Sequence, residues 1–365
     1  MFVAYDKSIL SYVAAIRNYF DLSSSFPADV SFDEYLNKQR PQRVFVFLID
    51  ALGYELLQRK LSPEQFLRKN ILYHCDTVFP STTTAATTSI RNGKAPNENA
   101  WLGWTQYFHE ADDIIVPFLA KGFYSDIQYE HSLIAEALPL KTTEEELLEK
   151  GIKAGSLFPS FARDGCESLQ EMCERLVKLS YSDQRYVYAY WDRYDTYMHN
   201  YGVDAPFCDT YLQYINEQIS GLAAKLNKGT LLVVTADHGQ IDSRRIYDLH
   251  GSVYEKYFHR RPSLEARAQV FFIEEGLKEE FELAFKQEFA DDYILLSHEQ
   301  VLQSHLFGPL DDHPRFAEFI GDFLAVAKSD LSFVYHEKPK KAFIGQHAGI
   351  TSAEMQVPLI VYLQD

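Results

Sequence analysis

Three short apolar runs of the sequence are each followed by carboxylate or imidazole side chains. Asp50 follows residues 44–49, Asp195 and His199 follow residues 186–191, and Asp237 and His238 follow residues 231–235. Carboxylate and imidazole together are the donors that divalent transition metals bind, and zinc is favoured where histidine is prominent. A single Asp in this position can instead cap the next helix. A charged pair directly behind an apolar run is costly to desolvate unless a metal or another partner is present.

A run of hydroxyl side chains between Phe79 and Ser89 offers candidate nucleophiles. It follows a predicted strand at residues 71–78 and precedes a predicted helix. The first turn of a helix has unpaired N–H groups and a positive dipole end, which stabilise a phosphate or an alkoxide. By itself, the run is more typical of a helix N-cap with interchangeable hydroxyls. Its chemistry therefore depends on which other residues lie near it.

The elements that position these residues can be predicted from the apolar pattern. Buried strands are expected at residues 44–49, 186–191, 231–235, 268–273 and 357–362, and helices at residues 53–59, 143–148, 210–226 and 277–289. This alternation predicts an α/β fold with a mostly parallel central sheet and helices on both faces. Ligands collect at the carboxyl ends of parallel strands, so the three polar segments are expected to meet in one crevice. We expect a single domain over residues 1–365, in which part of residues 242–344 is an insertion that caps the active-site edge.

The composition limits the partners of the protein. The 365 residues are 46% hydrophobic and 24% charged, with 35 Lys and Arg against 52 Asp and Glu, for a net charge of −17. This balance excludes extensive disorder and argues against nucleic acid polymers and anionic membranes as partners. No apolar run is long enough to span a bilayer, and residues 1–20 lack the order of a signal peptide. Four cysteines without a CxxC pair predict buried free thiols and a cytoplasmic protein. The oligomeric state is left open.

In their order along the chain, these segments resemble the alkaline phosphatase superfamily, and specifically its type I phosphodiesterase / nucleotide pyrophosphatase branch. The matching motifs are Asp50-x-x-Gly53, Phe79-Pro-Ser-Thr-Thr83, Asp195-x-x-x-His199-x-x-Gly202, Asp237-His238-Gly239 and the late segment around His347. The resemblance implies that Thr83 is the nucleophile. It also implies two divalent metal ions, one held by Asp195, His199 and His347 and the other by Asp50, Asp237, His238 and Thr83.

The sequence departs from the family pattern at the position of the phosphoryl-oxygen donor. Ala86 stands where the nucleotide pyrophosphatases have Asn, and Thr84 stands where alkaline phosphatases proper have Arg. The backbone N–H of Thr84 is the remaining donor. Trp104 and Arg261 are further candidate substrate contacts. Trp104 is also typical of a core aromatic, and Arg261 of a solvated loop.

The charge of the expected site favours a diester. Two divalent ions carry +4, the three carboxylates carry −3, and ionised Thr83 brings the sum to about zero. A monoanionic small phosphodiester or nucleotide-like compound therefore suits the site better than a dianionic monoester. The expected reaction is hydrolysis through a phospho-threonine at Thr83, with zinc as the metal and manganese as the alternative. A phosphomonoesterase or phosphonate hydrolase of the same fold, and a non-catalytic metal-binding or sensor protein, are the alternatives.

Overall fold

The computed structural model describes residues 3–337 and 342–365. Its strands are β1 Arg43–Ile49, β2 Ile71–Asp76, β3 Gln106–Phe108, β4 Asp113–Val116, β5 Lys121–Gly122, β6 Ala154–Leu157, β7 Tyr186–Trp191, β8 Thr230–Thr235, β9 Ile241–Asp242, β10 Arg245–Asp248, β11 Phe258–Leu264, β12 Ala268–Ile273, β13 Tyr293–Ser297, β14 Phe323–Ala327, β15 Leu331–Val334, β16 Gly345–Gln346 and β17 Gln356–Leu363. Its α-helices are α1 Ile9–Tyr19, α2 Val30–Gln39, α3 Tyr54–Lys60, α4 Phe66–Lys69, α5 Thr83–Asn92, α6 Pro96–Asn99, α7 His131–Ala137, α8 Thr143–Glu149, α9 Leu169–Ser180, α10 Arg193–Tyr201, α11 Pro206–Lys225, α12 Lys278–Phe289, α13 His298–Ser304, α14 Phe316–Phe319 and α15 Ser352–Met355.

Six strands form the central sheet in the order β2-β17-β8-β1-β7-β6. Strand β1 pairs in parallel with β7 on one side and β8 on the other, and β6 extends the parallel set beyond β7. Strand β17 runs antiparallel to both of its neighbours. The sheet is therefore mixed but mostly parallel, which confirms the predicted α/β class.

The register of the central strands brings their carboxyl ends to one level. Leu48 of β1 pairs with Tyr190 of β7 and with Thr235 of β8. Strands β7 and β8 are buried along their whole length and β1 along all but its first residue, as their nearly continuous apolar sequences require. Apolar residues of α1, α5, α9 and α11 belong to the same hydrophobic core. The polar residues that follow the three strands consequently emerge side by side.

A second group of strands lies in the sequence between Arg245 and Val334. Strands β11, β12, β14 and β13 form an antiparallel sheet in that order, and β10 pairs with β15. A separate aromatic core, which includes residues of β12 and Phe281, Phe285 and Phe289 of α12, supports this part of the chain. The predicted strand at residues 268–273 is β12, so it belongs to this antiparallel sheet and not to the central one. An apolar run shows that a strand is buried but does not show which sheet it joins.

Most predicted elements have the expected type, with ends shifted by a few residues. The helix predicted at residues 53–59 is α3, with Gly53 as its N-cap, and the helix predicted at residues 210–226 is the longer α11. All four cysteines are free and buried, as predicted. None of the helices in the described parts of the chain is long and apolar enough to cross a membrane. Residues 1–2 of the segment 1–20 and residues 338–341 of the predicted insertion lie outside the described residues.

Candidate active site

The carboxyl ends of β1 and β8 bring one group of polar side chains together. Asp50 directly follows β1, and the Ala51 N–H donates to Asp237 Oδ1 at 3.1 Å, which ties the two strand ends to each other. His238 Nε2 lies 3.4 Å from Asp50 Oδ1 and 3.7 Å from Asp237 Oδ2. Thr83 Oγ1 lies 3.2 Å from His238 Nε2 and 3.5 Å from Asp50 Oδ2. Asp50, Thr83 and the Asp237-His238 pair, which are 33 or more positions apart in the chain, thus lie close together.

A second group lies beside the first. Asp195 and His199 are four residues apart on α10, and His199 Nε2 lies 3.2 Å from Asp195 Oδ2. His347 Nε2 lies 4.0 Å from Asp195 Oδ1. The rings of His238 and His347 stack with centroids 3.9 Å apart and so join the two groups. Potential ligand atoms lie within 4.8 Å of one another in two sets of three residues, namely Asp195, His238 and His347, and Asp50, Asp237 and His238. His238 belongs to both sets.

The three imidazoles are oriented by backbone carbonyls. The Nδ1 atoms of His199, His238 and His347 lie 2.7, 2.9 and 3.1 Å from the carbonyl oxygens of Gly345, Gly239 and Ser81 respectively. A carbonyl oxygen only accepts, so each Nδ1 carries a hydrogen, and in a neutral ring Nε2 then has the lone pair. All three Nε2 atoms belong to the close contacts described above. This is the arrangement by which proteins prepare histidines to bind a metal.

The electrostatics of the first group call for a cation. Asp50 Oδ1 and Asp237 Oδ2 are buried and have no hydrogen-bond partner within the described residues. Burial raises the pKa of both carboxyls, and the nearby Asp237 raises that of Asp50 further. Two adjacent buried carboxylates remain ionised together only if a positive charge compensates them. A divalent ion supplies that charge, so these residues fit a metal.

In the second group the imidazoles supply part of the compensation. Although burial raises it, the pKa of Asp195 is held at about 2, chiefly by the adjacent His199. Burial lowers the pKa of His199, but Asp195 raises it more, so the net change is an increase. Burial, and then the neighbouring His238, lower the pKa of His347 well below its usual value. A neutral His347 beside an ionised Asp195 is the state in which both side chains can donate electron pairs to a metal.

Thr83 is distinguished from the other hydroxyl residues by its accessibility. It is the first residue of α5, and Thr82 is the extended N-cap before it. Every other Ser and Thr of the described segment 77–89 is buried, whereas Thr83 is partly exposed. Residue type alone does not separate these hydroxyls, because they differ in their surroundings and not in their chemistry, and in the sequence only the family resemblance indicates Thr83. In the structure, the Thr83 hydroxyl lies near Asp50 and is also accessible to solvent.

The three predicted substrate contacts, Thr84, Trp104 and Arg261, differ in their exposure and in their neighbours. The Thr84 side chain is fully buried, which leaves its backbone N–H in the first turn of α5 as the group available to a ligand. Trp104 is 38% exposed. The described contacts of Arg261 are an ion pair with Glu337 and a stack 5.1 Å above the Tyr124 ring, and neither partner belongs to the two groups.

Three site residues are missing from the sequence prediction. The Tyr190 hydroxyl donates to Asp50 Oδ2, and the Gln240 amide donates to Asp195 Oδ1 at 2.9 Å. Glu265 Oε1 accepts from the Thr82 hydroxyl at 2.5 Å and from the Trp104 N–H at 2.7 Å. Gln240 lies two residues after His238, and Tyr190 is the second-last residue of β7, so their positions at the strand ends are a signal that could have identified them. Glu265 has no such signal, because it is 183 positions from Thr82.

The fold and the cluster of carboxylates and imidazoles at the strand ends define an alkaline-phosphatase-like, metal-dependent phosphoester hydrolase. The family model of the type I phosphodiesterases / nucleotide pyrophosphatases matches residues 114–350, and the chain belongs to that family. The matched segment contains Asp195, His199 and His347, whereas Asp50 and Thr83 precede it. A comparison with curated proteins finds no match.

Solved structures support the same fold. Murine ectonucleotide pyrophosphatase / phosphodiesterase 5 superposes with a TM-score of 0.68 at 15% identity over 88% of both chains. The human form gives 0.68 at 13% identity over 88% of both chains. Phosphonoacetate hydrolase from Sinorhizobium meliloti, in complex with phosphonoformate, gives 0.66 at 14% identity over 88% of this chain and 90% of that one. At this level of identity the similarity shows the fold, and the substrate has to be argued from the site.

Proposed function

We propose that the protein is a two-metal phosphodiesterase that hydrolyses a small phosphodiester or nucleotide-like compound through a phospho-threonine at Thr83. The observation that carries the proposal is the position of Thr83 Oγ1. It is the one partly exposed hydroxyl of its segment, and it lies 3.2 Å from His238 Nε2 and 3.5 Å from Asp50 Oδ2. A hydroxyl placed against metal-binding side chains and open to solvent is suited to act as a nucleophile.

Seven side chains would hold the metals. In the proposed arrangement, Asp195, His199 and His347 bind one ion, and Asp50, Asp237, His238 and Thr83 bind the other. Bound divalent ions lower the pKa of a coordinated hydroxyl and stabilise negative charge on phosphoryl and leaving oxygens. The imidazole content favours zinc, and manganese is the alternative.

The chain's own residues account for the covalent steps. The Thr83 hydroxyl loses its proton to solvent, and Oγ1 attacks phosphorus while the bond from phosphorus to the leaving oxygen breaks. The leaving group departs as an alkoxide and takes up a proton from water, and Thr83 carries the phosphoryl ester. Water then attacks phosphorus, the bond to Oγ1 breaks, and the Thr83 hydroxyl is restored. The backbone N–H of Thr84, at the positive end of α5, is the proposed donor to a phosphoryl oxygen.

The charge balance supports a diester as substrate. With ionised Thr83 the proposed site sums to about zero. Arg91 forms an ion pair with the buried Glu144, and Arg261 forms one with Glu337, so both cations are already engaged. A dianionic monoester would bring a second negative charge that neither of these two cations is free to receive.

The experiment is a substrate panel on metal-reconstituted protein. We expect bis(p-nitrophenyl) phosphate to be hydrolysed in preference to p-nitrophenyl phosphate and to a phosphonate. Thr83→Ala should abolish hydrolysis while metal content, measured by mass spectrometry, is retained. Thr88→Ala is the matched control, because it removes a buried hydroxyl from the next turn of the same helix. Hydrolysis by Thr83→Ala at the wild-type rate would exclude the mechanism, and a marked preference for monoesters would exclude the diester assignment.

We also propose a cytoplasmic location. Four free, buried cysteines support it, because such thiols persist in a reducing compartment. Fractionation of cells that express the full chain tests the proposal, and recovery outside the cytoplasm would contradict it.

A further inference from the structure

Glu265 connects the nucleophile turn to the loop of Trp104. It follows β11, within the stretch 242–344 that we propose to be partly an insertion over the active-site edge. Its Oε1 atom accepts two hydrogen bonds, from the Thr82 hydroxyl at 2.5 Å and from the Trp104 N–H at 2.7 Å. The adjoining Leu264 is bound to Thr105 by two backbone hydrogen bonds of 3.0 and 3.2 Å. The carboxylate is therefore hydrogen-bonded to the residue that directly precedes Thr83 in the chain.

The hydrogen bond from Thr82 also changes the start of α5. Thr82 is the N-cap residue, yet its side chain makes no capping hydrogen bond to the helix. An N-cap Thr ordinarily satisfies one of the free N–H groups of the first turn. Here Glu265 takes the hydroxyl, so the N-cap side chain does not cover the end of α5 at which a phosphoryl oxygen would bind. Glu265 consequently borders the proposed phosphoryl position.

The charge of Glu265 reaches the candidate metal ligands. Burial raises the pKa of Glu265 to about 7, although its two hydrogen bonds and the nearby His238 and His199 lower it. Burial lowers the pKa of His199, but Asp195, the Gly345 carbonyl and, to a smaller extent, Glu265 raise it. The hydrogen bonds from the Thr82 hydroxyl and the Trp104 N–H place the carboxylate beside the nucleophile turn, and the described contacts of Glu265 include no Lys or Arg.

We propose that Glu265 is a specificity-determining residue that selects monoanionic phosphodiesters over dianionic phosphomonoesters by placing a negative charge beside the phosphoryl group. The inference rests on the proposed function and names the feature that sets its substrate class. With ionised Glu265, the sum over two metal ions, three Asp, Thr83 and Glu265 becomes about −1. Like charges at close range in a partly desolvated site repel strongly, and a monoester brings one more charge than a diester.

The test compares two esters that share one leaving group. Glu265→Gln removes the charge and keeps a carbonyl oxygen that can accept from Thr82 and Trp104. On metal-loaded enzyme at alkaline pH, we expect the kcat/KM ratio of p-nitrophenyl phosphate to bis(p-nitrophenyl) phosphate to rise about tenfold, the change that about 1.4 kcal/mol produces. Inorganic phosphate, a dianion under these conditions, should bind about tenfold more tightly by calorimetry, which requires no turnover. A merely structural role would change both esters in parallel.

Two further variants serve as controls. Glu265→Asp keeps the charge, so its ester ratio should stay near that of the wild type even if both rates fall. Glu288→Gln is the matched control, because Glu288 also accepts a hydroxyl hydrogen bond, from Tyr254 at 2.8 Å, but on α12 beside the second core. An unchanged ratio and unchanged phosphate affinity in Glu265→Gln, with diester hydrolysis retained, would overturn this inference and leave the proposed function standing. Failure of metal-loaded wild type to hydrolyse either ester would overturn the proposed function, and this inference with it.

Discussion

We expect the substitution Arg267→Met to lower both the stability of the protein and the metal affinity of the candidate site. Arg267 and Glu354 form a fully buried, bidentate ion pair, with Nε to Oε1 at 2.6 Å and Nη2 to Oε2 at 2.9 Å. Glu354 also holds two segments of the candidate site. Its Oε1 accepts from the Gly349 N–H at 2.7 Å, and its backbone oxygen accepts from the Gly239 N–H at 2.8 Å. Gly239 follows His238, and Gly349 lies two residues after His347.

The magnitude follows from the burial of the pair. Removing one partner of a buried ion pair leaves the other charge uncompensated, at a cost of about 3–5 kcal/mol. With an unfolding entropy of about 2 cal/mol/K per residue, a loss of about 4 kcal/mol lowers the Tm of a chain of 365 residues by about 5 °C. Because the freed Glu354 positions both glycine segments, we expect metal affinity to fall about tenfold or more as well.

Calorimetry of the metal-free protein and chelator competition measure the two effects separately. Lys286→Met is the matched control, because Lys286 pairs with Glu282 on an exposed helix face, where such a pair contributes less than about 1 kcal/mol. A Tm of Arg267→Met within about 1 °C of the wild type would refute the reasoning. An unchanged metal affinity of Arg267→Met would also refute it, because the ion pair would then have no effect on the metal site.

The remaining predictions concern the immediate surroundings of the cluster. Tyr190→Phe removes the hydroxyl that donates to Asp50 and should lower metal affinity about tenfold in chelator competition, and an unchanged affinity would contradict the role of this hydrogen bond. Gly239→Ala places a Cβ against a backbone carbonyl of α15 and should cost about 1–3 kcal/mol in calorimetry, whereas Gly221→Ala, in open space on α11, should not destabilise. His199 has a raised pKa, so it takes up a proton at a higher pH than a free imidazole, and protonation blocks Nε2. The apparent metal affinity should therefore fall as the pH falls below that raised pKa, and an affinity that does not change with pH in chelator competition would contradict the prediction.

Much of the fold and of the site could be predicted from local patterns. The buried strands β1, β7 and β8 are short apolar runs, and the polar residue after each run marks its carboxyl end. These features arise from short-range effects, namely the desolvation of apolar side chains and the cost of charge beside them. The topology rule for parallel sheets then brings Asp50, Asp195 and Asp237 to one edge.

The sequence by itself therefore determined the α/β class and the candidate metal ligands that follow β1, β7 and β8, because their signals lie within a few residues of each strand, whereas His347 was indicated only by the family resemblance. Only the tertiary structure decided which of several equivalent hydroxyls is accessible, and that hydroxyl is Thr83. It also decided that β12 joins a second sheet, that Arg267 is a buried partner of Glu354, and that Glu265 reaches Thr82. These contacts join residues far apart in the chain, and they depend on how the second sheet packs against the first. No local pattern of residues records that packing.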